Sequence, residues 1–129
     1  MGIIRRDYIL DRWVYYAIAR KKRPREFKSA EAKDNAKVCF FCPWNTHLTP
    51  PEIGRVGYKN GWKLRWFLNK FPAVERKGKP IIKSKKYLSE GASYGVHEVI
   101  VETQRHKSQL ADLPVQQIRE LLEVYKIRI

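Results

Sequence analysis

The chain has 129 residues, of which 43% are hydrophobic and 12% aromatic, and this composition argues against a disordered protein. No apolar run approaches the roughly 20 residues that span a bilayer, and the first residues lack the apolar core of a signal peptide. We therefore expect one domain over residues 1–129 in a cytoplasmic protein with no membrane partner. The net charge of +14 favours polyanionic or phosphorylated partners, although a solubilising lysine-rich surface would give the same excess.

The first part of the chain predicts a strand followed by a basic loop. Residues 11–19 are rich in aromatic and β-branched side chains, among them Trp13 and Tyr15, and this composition is typical of a strand. Residues 20–25 are almost all basic and contain a proline, which favours a loop. Residues 26–37 are charged and alanine-rich, and they fit either a loop or a short helix.

Cys39 and Cys42 are the chain's two cysteines, and their spacing lets one tight turn aim both sulfurs at a metal ion. Zinc prefers four ligands, and His106 is the best candidate for the third, with His47 a weaker one. A redox dithiol and a pair of buried thiols are alternatives. A redox pair normally opens a helix, however, and here Pro43 follows directly. The spacing therefore favours a metal site.

Two further strands are predicted in the second half of the chain. Asn60 and Gly61 favour a turn, after which residues 62–68 alternate with period two. Residues 75–94 are rich in lysine and glycine, and we expect a loop with a short extended piece at residues 81–82. Residues 96–103 alternate again and predict a strand, on which His97 would be a packed, hydrogen-bonded core histidine.

The C-terminal residues predict an amphipathic helix. Pro114 suits a first helical turn, and Ile118, Leu121, Leu122 and Tyr125 follow at helical spacing. Several strands with one helix indicate an α+β fold with a mainly antiparallel sheet.

Six segments in the right order resemble the N-terminal half of the galactose-1-phosphate uridylyltransferase family, within the histidine-triad superfamily. They are residues 5–14, Arg20 with residues 23–24, residues 39–45, residues 49–53, residues 69–73 and residues 95–106. One such motif alone would be weak, whereas six in register over nearly the whole chain are strong.

The resemblance implies a half-barrel sheet and a nucleotidyltransferase of galactose and carbohydrate metabolism. Such enzymes move a nucleoside monophosphate between a nucleotide sugar and a hexose 1-phosphate through a covalent histidine intermediate. It also implies a structural zinc ion on Cys39, Cys42 and His106. The nucleotide-binding residues that it implies are Arg20, Arg23, Phe40, Asn69 and Phe71. Without the resemblance, the arginines would be a solvated loop, the aromatics core, and Asn69 a turn cap.

The chain departs from the family at the nucleophile. Its histidines are His47, His97 and His106, and none lies in a His-Pro-His motif. We therefore assign no catalytic residue and expect activity to need a C-terminal part outside this chain, a second polypeptide or a homo-oligomer. The alternatives are a non-catalytic nucleotide-binding module, an adenylyl-transferring relative, and a basic nucleic-acid-binding protein with a CxxC knuckle. The last is disfavoured because the aromatics alternate like strand-core residues.

Overall fold

The computed structural model describes residues 2–22, 39–57 and 61–129. They form strands β1 Ile3–Asp7, β2 Arg12–Tyr16, β3 Glu52–Val56, β4 Leu64–Leu68, β5 Ile82–Lys85, β6 Leu88–Ala92 and β7 Glu98–Val101, and helix α1 Val115–Arg128. Short 3₁₀ helices cover Ile18–Lys22, Pro43–Leu48 and Leu110–Asp112. The predicted α+β fold with antiparallel sheets and a C-terminal helix is confirmed.

The chain divides into two compact units. Unit 1 contains the described residues 2–22 and 69–98, and unit 2 contains the described residues 39–57, 61–68 and 99–129. A basic loop was predicted over residues 20–25, and a loop or short helix over residues 26–37. Residues 23–38 lie outside the described part of the chain, as does Asn60 of the predicted turn.

Unit 1 is built on a four-stranded sheet in the order β2-β1-β6-β5. The β1–β2 hairpin is closed by Asp7, whose carboxylate Oδ1 accepts the backbone N–H groups of Ile9 at 2.9 Å and Leu10 at 3.1 Å. These donors, Leu10 first, lower the pKa of Asp7 because they stabilise its charged form. Asp11 takes a positive φ of 45°, which short polar residues tolerate in turns.

Residues 75–94 were predicted to be a loop with a short extended piece at residues 81–82. The prediction was wrong for most of residues 82–92, because β5, which begins at Ile82, and β6 form an antiparallel hairpin there. Strand β5 is exposed along its whole length and lies at the edge of the sheet. Such a strand needs no apolar face, and lysines on an edge prevent pairing with other chains. The alternation of apolar and polar residues that reveals half-buried strands is therefore missing from this segment.

Unit 2 is built on a three-stranded sheet in the order β3-β4-β7, with β4 in the centre. Leu64 packs with Leu121 and Val124 of α1, whereas Phe67 packs with Trp62 and Val101. The predicted strand over residues 62–68 is confirmed for β4, but both of its faces are covered, which an alternating pattern does not reveal.

Helix α1 begins after Pro114, as predicted, and binds the sheet along one stripe. Leu121 and Val124 are buried, whereas Leu122, which the helical pattern placed on the apolar face, is 55% exposed. The Lys63 ammonium donates to both carboxylate oxygens of Glu120, at 2.9 and 2.7 Å, and so joins the helix to the start of β4. In the described part of the chain, no helix combines the length and apolar character needed to cross a bilayer.

Candidate metal centre and nucleotide-binding residues

Cys39 and Cys42 lie in a tight turn that the backbone and one asparagine hold closed. The Cys42 N–H donates to the Cys39 carbonyl at 3.3 Å, and the Asn45 N–H donates to the Cys42 carbonyl at 2.9 Å. The Asn45 side chain is buried, and its Nδ2 donates to the Cys39 carbonyl at 2.8 Å. Asn45 therefore fastens both ends of the predicted turn from within the protein.

His106 reaches this turn from a distant part of the sequence. Its Nδ1 lies 3.3 Å from the Cys42 Sγ, and one ligand atom from each of Cys39, Cys42 and His106 lies within 4.8 Å of the others. His47 is exposed in the 3₁₀ helix Pro43–Leu48 and is not a member of this group. These three side chains could hold a metal ion.

The distances fit a tetrahedral ion. From usual zinc bond lengths, two tetrahedral ligands lie about 3.6 Å apart for sulfur and nitrogen and about 3.8 Å apart for two sulfurs. The observed 3.3 Å between Cys42 Sγ and His106 Nδ1 is within about 0.3 Å of the first value, and the 4.8 Å limit for the group is about 1 Å above the second. Two thiolates with an imidazole are also a donor set that zinc prefers.

An open cavity of about 290 Å³ adjoins the three ligands. Its wall includes Phe41, Val101, Arg105 and Ser108. Cys42 is buried, Cys39 is half-buried and His106 is exposed, so the site opens on the His106 side. A fourth ligand can therefore approach from that side, whether it is water or a protein side chain.

Of the arginines in the candidate nucleotide set, Arg20 lies in the described part of the chain and Arg23 lies outside it. Arg20 is half-buried in the 3₁₀ helix Ile18–Lys22 of unit 1, where its backbone N–H donates to the Ala17 carbonyl at 3.0 Å. Phe40 belongs to unit 2 and is 37% exposed.

Asn69 and Phe71 lie together in unit 1, in the segment that follows β4. The Asn69 Oδ1 accepts the Phe71 N–H at 2.8 Å, so the asparagine forms a local turn with the residue two positions later. Both side chains are half-buried. The turn-capping role considered for Asn69 is thus real, and it leaves the side chain near the surface.

His97 is hydrogen-bonded, as expected, but it is half-buried rather than in the core and lies just before β7. Its partners lie in residues 69–73. Its Nδ1 accepts the Ala73 N–H at 2.9 Å, its Nε2 lies 3.2 Å from the Asn69 Nδ2, and its carbonyl accepts the Asn69 N–H at 2.8 Å. Sequence reasoning missed this connection because it joins residues 24 to 28 positions apart.

Arg65 is a buried cation that the alternating pattern of β4 did not reveal. Its guanidinium carbon lies 4.8 Å from the centre of the Phe67 ring and 5.3 Å from that of Trp62, and Nη2 donates to the Thr49 hydroxyl at 3.0 Å. Desolvation lowers the pKa of Arg65, and the nearby Glu52 charge opposes this effect. Arg65 therefore ties β4 to the residue that caps the 3₁₀ helix following Cys42.

Comparison with known proteins places these features in one family. A family model for the N-terminal domain of galactose-1-phosphate uridyl transferase matches residues 4–128. An ADP-glucose phosphorylase of Arabidopsis thaliana is 35% identical over 136 residues, which cover 98% of this chain and 38% of that protein. A galactose-1-phosphate uridylyltransferase of Thermotoga maritima is 27% identical over 123 residues, which cover 95% of this chain and 33% of that protein.

Solved structures agree with the sequence matches. The crystal structure of the Arabidopsis thaliana ADP-glucose phosphorylase with bound ADP-glucose has a TM-score of 0.55 at 29% identity, over 99% of this chain and 37% of that one. A uridylyltransferase mutant has a TM-score of 0.57 at 26% identity, over 96% of this chain and 32% of that one. This chain thus spans well under half the length of these relatives. The match over residues 4–128 shows that the chain belongs to the galactose-1-phosphate uridyl transferase family, in the part that forms its N-terminal domain.

Proposed function

We propose that this chain binds one zinc ion through Cys39, Cys42 and His106. The observation that supports this is the convergence of three zinc-type ligand atoms within 4.8 Å, from residues 64 positions apart, in a member of this family. Bound zinc would act as a cross-link between the turn and the segment after β7. The protein's own part is to present the ligands, and Asn45 holds the turn for this purpose.

We further propose that the chain binds the nucleotide part of a nucleotide sugar. The arginines Arg20 and Arg23 would contact the phosphates, because a guanidinium fork suits phosphate oxygens. Phe71 would line the base pocket, and Asn69 would hydrogen-bond the base or ribose. Phe40 stays a predicted contact of the base, and it belongs to the other unit. The position of Asn69 next to Phe71 supports this role, since both side chains are half-buried and a hydrogen bond joins the two residues.

The proposed reaction of the whole protein is nucleotidyl transfer between a nucleotide sugar and a hexose 1-phosphate, the chemistry of the uridylyltransferases. A histidine nitrogen attacks the α-phosphorus and sugar 1-phosphate leaves. A phosphate oxygen of the second hexose 1-phosphate then attacks the same phosphorus and releases the histidine. We assign this nucleophile to none of His47, His97 and His106. This chain alone would bind the nucleotide, and transfer would need a C-terminal part, a second polypeptide or an oligomer.

A second candidate is adenylyl transfer, which the match to an ADP-glucose phosphorylase supports. That relative is 35% identical to the chain, compared with 27% for the uridylyltransferase. The residues that would contact phosphates serve either base, so the two candidates differ in the base pocket and in the acceptor of the nucleotidyl group.

The experiment is to purify the chain, measure its zinc content by mass spectrometry and titrate it with UDP and ADP in a calorimeter. We expect one zinc ion per chain and binding of at least one nucleotide. Replacing Arg20→Ala should weaken binding by about tenfold or more, because a charge-assisted hydrogen bond contributes about 1.5–3 kcal/mol. The matched control is Lys21→Ala, which removes an exposed cation from the same 3₁₀ helix.

Two results would overturn the proposal. The first is a chain that binds neither UDP nor ADP, and the second is equal loss of affinity in both variants, which would reduce Arg20 to general surface charge. An assay with UDP-glucose and galactose 1-phosphate adds a third check, since turnover by this chain alone would contradict the assignment of no nucleophile.

A further inference from the structure

We propose that His97 is a positioning residue that holds residues 69–73 in their nucleotide-binding conformation. This inference rests on the proposed function, in which Asn69 and Phe71 contact the nucleotide. His97 itself is assigned no contact with the ligand. Its role follows from hydrogen bonds at both ends of the segment, all of them within unit 1.

The first end of the segment is fixed by Asn69. Its backbone N–H donates to the His97 carbonyl at 2.8 Å, and its side-chain Nδ2 lies 3.2 Å from the His97 Nε2. The same side chain accepts the Phe71 N–H through Oδ1 at 2.8 Å. The Asn69 end of the segment is therefore held by the His97 carbonyl, and the Asn69 amide is held by the backbone of Phe71.

The second end is fixed by Ala73, whose N–H donates to the His97 Nδ1 at 2.9 Å. A backbone N–H can only donate, so Nδ1 must be the ring's acceptor, and the neutral imidazole carries its proton on Nε2. That proton faces the Asn69 amino group, which is also a donor, so the ring and the Asn69 side chain are in contact without a hydrogen bond. The hydrogen bond that the ring itself contributes is therefore the one to Ala73, and the His97 carbonyl holds the Asn69 end.

The consequence for binding is preorganisation. A segment that is already ordered loses less conformational entropy when a ligand binds, and its hydrogen-bonding groups are already aimed. Without the imidazole, Ala73 and the backbone that joins it to Phe71 would have to be ordered by the nucleotide itself. Affinity should then fall even though every residue that contacts the nucleotide is still present.

Three substitutions isolate the hydrogen bond that the ring makes. His97→Asn places an amide oxygen at the position of Nδ1, so it keeps the acceptor for Ala73. His97→Gln extends an amide to the position of Nε2, so it stays polar and loses the acceptor for Ala73. His97→Leu removes the acceptor and every other polar atom of the ring. Ser84→Ala, which removes one exposed hydroxyl from β5 of the same unit, is the matched control.

The measurements are nucleotide affinity by calorimetry and amide hydrogen exchange at Phe71 and Ala73 by NMR. His97→Leu should weaken UDP or ADP binding by at least about tenfold and speed exchange at Ala73 by a similar factor. His97→Asn should bind within about threefold of the natural chain and keep Ala73 protected. His97→Gln should bind as weakly as His97→Leu, and Ala73 should exchange faster. The control should match the natural chain in both measurements.

The inference is overturned if His97→Leu binds nucleotide like the natural chain, or if the asparagine and glutamine variants lose affinity equally, which would indicate loss of packing alone. Circular dichroism identifies any variant that fails to fold, and the remaining variants then decide. If the natural chain binds no nucleotide, the proposed function fails. The exchange pattern still tests the hydrogen bonds, and unchanged protection of Ala73 in His97→Leu and His97→Gln would overturn them as well.

Discussion

Cys42 illustrates how single residues of this chain combine two tasks. Its backbone closes the turn with Cys39 and Asn45, while its sulfur points to the imidazole of His106. The side chain is 2% exposed, so the sulfur is shielded from competing water on the turn side. His106 is exposed, and the site is therefore asymmetric, with one fixed ligand and one that solvent reaches.

His106→Ala should remove the third ligand and lower zinc affinity by about a hundredfold or more, since loss of a group that only supports a ligand already costs 10–100-fold. His47→Ala is the matched control, because it removes an exposed histidine outside the cluster. Competition with a coloured zinc chelator measures both affinities. Equal zinc affinity in the two variants would contradict the assignment of His106 as a ligand.

At the scale of elements, α1 is held to unit 2 by a narrow apolar stripe and an ion pair. Leu121 and Val124 contact Leu64 of the central strand, and Glu120 pairs with Lys63 beside them. The neighbouring Leu122 points away and is 55% exposed. Burial along the stripe, rather than intrinsic helix propensity, should therefore supply most of the stability of the docked helix.

Leu121→Ala should lower the free energy of unfolding by about 2–5 kcal/mol, because it leaves a cavity next to Leu64. Leu122→Ala is chemically the same change one position later, and it should cost less than about 0.5 kcal/mol because the side chain is exposed. Urea unfolding followed by circular dichroism measures both. Equal destabilisation would mean that the helix docks through a different face.

At the scale of the whole molecule, the net charge of +14 determines which partners the chain attracts electrostatically. Among the described residues, unit 1 carries most of the excess of lysine and arginine, including the exposed lysines of β5. Such a surface attracts any polyanion through counterion release, with a steep dependence on salt. Affinity for nucleic acid at low salt would therefore be expected even of a protein that binds only nucleotide sugars.

We expect single-stranded DNA to be retarded by the chain in low-salt gels. It should be released at about 0.15 M salt, where the Debye length has fallen to about 8 Å. A gel-shift series across salt concentrations, with and without UDP as competitor, measures this. Retardation that persists well above 0.15 M salt would instead favour the alternative of a nucleic-acid-binding protein. Lys83→Glu in exposed β5 should weaken the low-salt shift without affecting nucleotide affinity.

The sequence by itself determined the local features. The turn at Cys39 and Cys42, the central strand β4 and the start of α1 after Pro114 were all predicted, because turn chemistry, alternation and helical spacing act between near neighbours in the chain. The third candidate ligand named from the sequence, His106, is the histidine whose ring lies with the two cysteines, and His47 is not in that group.

Only the tertiary structure decided which distant residues meet. The β5–β6 hairpin, the burial of Arg65 between Trp62 and Phe67, and the contacts of His97 with Asn69 and Ala73 left no trace in local patterns. An exposed edge strand has no apolar face to reveal it, and a buried arginine looks like a surface one until its neighbours are known. Contacts across many residues depend on how whole sheets pack, and periodicity along the chain carries no such information.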